Sequence, residues 1–93
     1  MSDELFSVTG QIVVVSGGSR GIGRALAEGF AERGSQVIIT GRESATIEAA
    51  AREMSSGPNS VVPIVCDVAQ LDDIARLVET VVGRFGRIDT LLN

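Results

Sequence analysis

The apolar residues of this chain fall into two rhythms. Gln11 to Val15 is a β-branched run that ends in Ser16-Gly17-Gly18, the pattern of a buried strand entering a tight turn. Gln36 to Thr40 and Val61 to Cys66 are runs of the same kind, and Ile88 to Leu92 gives a fourth. Pro63 has no N–H to offer a ladder, which places the third run at a sheet edge or at a strand's beginning. Between the runs the apolar residues recur at helical spacing. From Gly21 to Arg33, Ile22, Leu26 and Phe30 stand four apart with Ala27 beside them, predicting a helix with that face inward and Gly34 as its stop. Ser44 to Met54, rich in Ala and Glu, predicts a second helix, and Ser55-Ser56-Gly57-Pro58-Asn59 a loop after it. A third helix opens at Asp72 or Asp73, turns Ile74, Leu77, Val78, Val81, Val82 and Phe85 inward, and ends at Gly86.

Short apolar strands alternating with amphipathic helices imply an α/β fold, with four parallel strands joined by right-handed crossover helices. Residues 11–93 read as one domain behind a lead-in of residues 1–10, with no internal repeat, low-complexity tract or linker. At 93 residues a single core is all the chain can build.

The junction of the first strand and first helix carries the chemistry. Ser16-Gly17-Gly18-Ser19-Arg20-Gly21-Ile22-Gly23 sits where backbone N–H groups and the helix dipole favour an anion. Gly17 can take turn dihedrals closed to other residues, while Gly21 and Gly23 leave room for a ligand and for helix packing. A P-loop is excluded, because Arg24-Ala25 follows Gly23 where Lys and Ser or Thr belong. The Gly-x-Gly-x-x-Gly spacing is also absent, since Leu26 stands where its third glycine would be. Arg20 and Arg24 lie at the positive end of the helix, where a cation is unfavourable by about 0.3 to 1 kcal/mol unless an anion joins it.

The end of the second strand sharpens the ligand. Dinucleotide folds place there, roughly 20 residues past the glycines, the carboxylate that binds the ribose of NAD(H). This chain reads Thr40-Gly41-Arg42 instead, with no carboxylate in that stretch to repel a 2′-phosphate. Arg42 offers such a phosphate a planar fork. The expectation is an NADP(H) site with Arg20 and Arg42 as its clamp, and NAD(H) as the weaker ligand.

Composition removes alternatives. The chain has no His, Lys, Tyr or Trp, so His-based triads and His metal sites are excluded. A net charge of −4 gives no field that would attract nucleic acid or an anionic membrane. The apolar runs fall short of the roughly 20 residues a membrane span needs, and the acidic start lacks the features of a signal peptide. Cys66 is the only cysteine, which suits a reducing cytoplasm and reads as a small buried hydrophobe rather than a reactive thiol.

Taken with Cys66-Asp67-Val68 and Asp89-Thr90-Leu91-Leu92-Asn93, the turn resembles the N-terminal half of the short-chain dehydrogenase/reductase family over nearly the whole chain. Serine at 16 replaces the threonine that opens that family's Thr-Gly-x-x-x-Gly-x-Gly turn. The resemblance implies a three-layer Rossmann-type half that binds a dinucleotide through Ser16, Gly17, Ser19, Arg20, Gly21, Ile22, Gly23 and Arg42. It further implies Asp67 and Val68 against the adenine ring and Asn93 as the first residue of the Asn-Asn-Ala-Gly motif. The family's catalytic serine and Tyr-x-x-x-Lys pair have no counterpart here. The chain is therefore expected to be the cofactor-binding portion of a longer oxidoreductase acting on a small carbonyl or alcohol, one of a family that commonly forms oligomers. Two other readings stand beside it: a nucleotide-binding or regulatory module without turnover, and a carboxylate-based hydrolase, for which no pair of acids lies near the glycines.

Overall fold

A computed structural model describes residues 8–55 and 60–93. Its elements are β1 (Ile12–Ser16), α1 (Gly21–Glu32), β2 (Gln36–Gly41), α2 (Ser44–Met54), β3 (Val62–Val65), α3 (Leu71–Phe85) and β4 (Thr90–Leu92). The strands form one parallel sheet in the order β3-β2-β1-β4. Most of the expected loop, residues 56–59, and most of the lead-in, residues 1–7, lie outside the described residues.

Why β1 and β2 are continuous β-branched runs follows from their central place, with helices on both faces. Val13, Val15, Val37 and Ile39 pack against α1 and α2, while Ile12, Val14 and Ile38 pack on the other face against Leu77 and Val81 of α3. Pro63 lies opposite Ile39 on β3, an edge strand, where its missing N–H costs no central ladder bond. Cys66 is buried at the end of that strand, and burial, aided by the Asp67 charge, pushes its thiol pKa up and keeps it protonated.

Two helices sit differently from their sequence pattern. In α1, Ala27 and Phe30 of the expected face reach the core, whereas Ile22 is 82% and Leu26 41% exposed. The inward stripe runs through Gly23, Ala27, Phe30 and Ala31, one position on from the row of large side chains. Gly23 rests against the backbone of Gly17, so the helix starts too close to the turn for a large residue on that side. In α3, Leu77 and Val81 are buried and Phe85 packs beside them, but Val78 and Val82 are each 43% exposed, on a stripe wider than the sheet covers. Neither Asp72 nor Asp73 caps this helix. Gln70 does so through its backbone, and Asp73 turns back to accept the Asp67 N–H at 3.0 Å while pairing with Arg76. Gly34 and Gly86 end their helices at φ of +90° and +87°, the left-handed region that glycine enters freely. Among the described residues no helix is long and apolar enough to cross a membrane.

β4 is short, and its hold on β1 is reinforced from below. Asp89 Oδ2 accepts from the Ile12 N–H at 2.7 Å and from Arg87 Nε at 2.9 Å, while the Asp89 N–H donates to the Ile12 carbonyl at 2.9 Å. These bonds hold the Asp89 carboxyl below the usual carboxylate range, the Ile12 N–H contributing most and Arg87 next. A carboxyl with a depressed folded pKa stabilises the fold above its unfolded value, about 3.9, and that contribution disappears as pH falls through the folded value. Thermal melts across pH 2 to 6, a range set by that unfolded value of about 3.9, should therefore show an acid loss of Tm. In Asp89→Asn the Tm should be lower at neutral pH and this acid loss shallower, whereas parallel curves would remove Asp89 from the account.

Candidate functional site

Parallel strands put all their carboxyl ends on one rim. Along it lie Asp67 and Val68 after β3, Gly41 and Arg42 at β2, Ser16 and Gly17 at β1, and Asn93 after β4. The chain runs from β1 out to β3 and then returns to the opposite side of β1 for β4. That reversal is the switch point at which open α/β sheets hold their ligands.

The glycine turn crosses the rim at this point. Gly17 has φ of +73° and donates its N–H to the Thr40 carbonyl at 3.0 Å, which fastens the turn to β2. Gly21, at φ of +64°, opens α1 with nothing within 4 Å of the place a Cβ would take, so its conformation requires glycine and the space before it stays open. Gly23 is fixed by contact: a Cβ there would stand 2.5 Å from the Gly17 carbonyl oxygen. Gly18, a residue the turn pattern leaves unspecified, meets the same restriction, its Cβ position lying 2.5 Å from Ile39 Cγ2. Only the placement of β2 reveals it.

Arg20 precedes α1 in an extended backbone conformation, and neither a capping side chain nor an acidic residue satisfies the first turn. The N–H groups at this end thus face outward in a field that favours negative charge. Ile22 belongs to the turn through its backbone alone, its side chain lying in the open.

The three arginines near the turn part company. Arg24 pairs with Glu28 and Glu53, each at 2.9 Å, and these bonds raise its pKa further. It joins α1 to α2, its charge met by these two carboxylates. Arg20 and Arg42 form no ion pair with any described residue, and both line a cavity of 330 Å³ with Ser19, Gly41, Glu43, Thr46 and Ile47. Glu43, the next residue along the chain, brings a carboxylate to this cavity. The end of β2 is free of carboxylates, but the cavity is not.

Asp67, Val68 and Asn93 stand elsewhere on the rim and do not line this cavity. The Asp67 loop is internally bonded: Oδ1 accepts from the Ala69 N–H at 3.0 Å and its carbonyl from the Gln70 N–H at 2.9 Å, and Val68 is left exposed beside it.

Gly23→Ala is expected to lower stability by about 1 to 3 kcal/mol, because the atoms it meets are backbone and cannot rotate away. Gly83→Ala, in open space within α3, is the control and should raise stability by about 0.4 to 1 kcal/mol. Urea midpoints compare the two, and equal effects would show that the turn has slack at Gly23.

The family model for short chain dehydrogenase matches residues 11–93. Among curated proteins, L-fucose dehydrogenase of Bos taurus is 39% identical over 84 residues, which is 90% of this chain and 30% of that protein. Dehydrogenase/reductase SDR family member 1 of Mus musculus is 44% identical over 85 residues, 90% of this chain and 27% of that protein. A short-chain type dehydrogenase/reductase from Mycobacterium marinum superposes with a TM-score of 0.89 at 34% identity, covering 98% of this chain and 37% of that one. A metagenomic short-chain oxidoreductase solved in complex with NADP gives 0.84 at 35% identity, covering 91% and 38%. The chain thus spans about 30% of the length of the curated relatives it matches.

Proposed function

This chain belongs to the short chain dehydrogenase family, and from that premise we propose that residues 11–93 are its dinucleotide-binding domain, with NADP(H) preferred over NAD(H). The observation that carries the preference is the meeting of two guanidinium groups, Arg20 and Arg42, neither paired with a described carboxylate, on one cavity at the end of β2. A 2′-phosphate there would accept from both, and Arg42 can meet it with two parallel bonds. The residues present suit the rest of such a ligand. The uncapped N–H groups from Gly21 to Gly23 and the missing side chains at 17 and 21 let a diphosphate approach the backbone. Val68 offers the adenine ring an exposed apolar surface, Asp67 lies beside it, and Ser16, Ser19 and Asn93 complete the rim.

Bound in this way, such a dinucleotide would supply the hydride chemistry. What this chain contributes is binding and orientation. Its 93 residues contain neither Tyr nor Lys, so proton exchange with a carbonyl or alcohol oxygen falls to groups outside them. In a protein of the relatives' length, this domain would hold the cofactor of an oxidoreductase acting on a small carbonyl or secondary alcohol. A cytoplasmic setting suits its one buried cysteine.

The test is titration with NADPH and NADH, read as nucleotide fluorescence, against a chain without Trp or Tyr. Arg42→Ala should weaken NADPH by about 10- to 100-fold, the worth of a charged hydrogen-bond pair, and leave NADH within about threefold. Glu43→Gln should tighten NADPH by removing a like charge from the cavity. An unchanged ratio of the two affinities in Arg42→Ala would falsify the preference.

A further inference from the structure

Gly41 closes β2 and forms part of the wall of the cavity that Arg20 and Arg42 share. Side chains alternate along a strand, so a residue at 41 would leave on the same side as Val37 and Ile39, toward α2. That direction is filled. A Cβ on Gly41 would stand 2.6 Å from Ile47 Cγ2, where real Cβ atoms keep at least 3.0 Å. Ile47 has little freedom to yield. It is 2% exposed and packed in the core with Ala50, Ala51 and Met54. The obstructing methyl sits on its branched Cβ and not at the end of a flexible chain.

We infer that Ile47 is a specificity-determining residue of the nucleotide site. By occupying the volume beyond Gly41 it excludes a side chain from position 41, including the carboxylate that would bind a ribose 2′-hydroxyl and repel a 2′-phosphate. The inference rests on the NADP(H) reading and gives it a second physical basis: the arginines attract the phosphate, and Ile47 keeps the opposing charge from its place at 41. Glu43, the carboxylate that the cavity does hold, stands at the start of α2, with Oε2 accepting from Thr46 Oγ1 at 3.5 Å. It therefore enters the cavity from a different element. A change at Gly41 alone does not make an NAD(H) site, because the new carboxylate must share space with a core residue.

The choice of variants separates this contact from general damage to the core. Val at 47 retains the γ-methyl branch and Ala removes it. Gly41→Ala and Gly41→Asp are made alone, with Ile47→Val and with Ile47→Ala, alongside the single changes at 47. Melts without nucleotide and titrations with NADPH and NADH are then recorded for each. Gly41→Ala should lower Tm by about 5 °C or more, as overpacking does in a domain of this size. Ile47→Ala should relieve that loss, so that the pair loses less than the sum of its singles, while Ile47→Val gives no relief. Gly41→Asp joined to Ile47→Ala should move the NADPH to NADH affinity ratio at least about tenfold toward NADH, a difference of one decade in Kd, relative to Ile47→Ala alone.

Additive Tm losses overturn the inference, as does a Gly41→Asp chain that keeps its Tm and changes preference with Ile47 intact. If the unaltered chain binds neither dinucleotide while the Tm changes remain coupled, the NADP(H) reading fails and the specificity role with it. Additive losses in a chain that still prefers NADPH remove the inference alone, which keeps the two failures distinct.

Discussion

The close approach of α1 to the turn that precedes it is the constraint on which the rest of the site depends. Gly23 lies so near Gly17 that a single added carbon would stand 2.5 Å from its carbonyl oxygen. Seating the helix there has two consequences that pull in opposite directions. The first turn of α1 comes to the carboxyl rim of the sheet with its N–H groups uncapped, which suits an anion. The same closeness leaves no room for a side chain at 23, and beyond it Ala27 is buried while Ile22 and Leu26 turn outward. The uncapped helix start is obtained at the expense of apolar contact between helix and sheet.

Charge is distributed around that seat with a clear division of roles. Arg24, one turn into the helix, is held by Glu28 and Glu53 and braces α1 against α2. Arg20 and Arg42 remain unpaired among the described residues and share a cavity with Glu43. The acidic groups farther from the cavity act on the fold. Asp89 ties the start of β4 to the start of β1, and Asp73 fixes the loop that carries Asp67 and Val68. Because β1 and β4 flank the switch point, the Asp89 bonds at one end of the sheet help to hold in register the rim at the other.

Much of this architecture is legible in the chain alone, because it depends on residues near one another in sequence. The short apolar runs mark all four strands, Ser44 to Met54 marks α2, and Pro63 marks the edge. Gly17, Gly21, Gly23 and Arg42 can be identified from spacing, since a strand, a tight turn and a helix leave their requirements in adjacent positions. Periodicity fails where large side chains are the signal and small ones form the contact, as in α1, and where the apolar stripe is wider than its cover, as in α3.

What only the tertiary structure decided are the relations between distant segments. Arg24 looks like Arg20 until Glu53 arrives from another helix. Gly18 and Gly41 look like spare glycines until Ile39 and Ile47 are packed against them. The sequence by itself determined the α/β order, the glycine turn between β1 and α1 and the likeness to the family, because backbone conformation and side-chain alternation are local properties. Which charges stay unpaired, and which glycines have no room to change, was decided by packing, because those properties depend on neighbours the chain brings together only on folding.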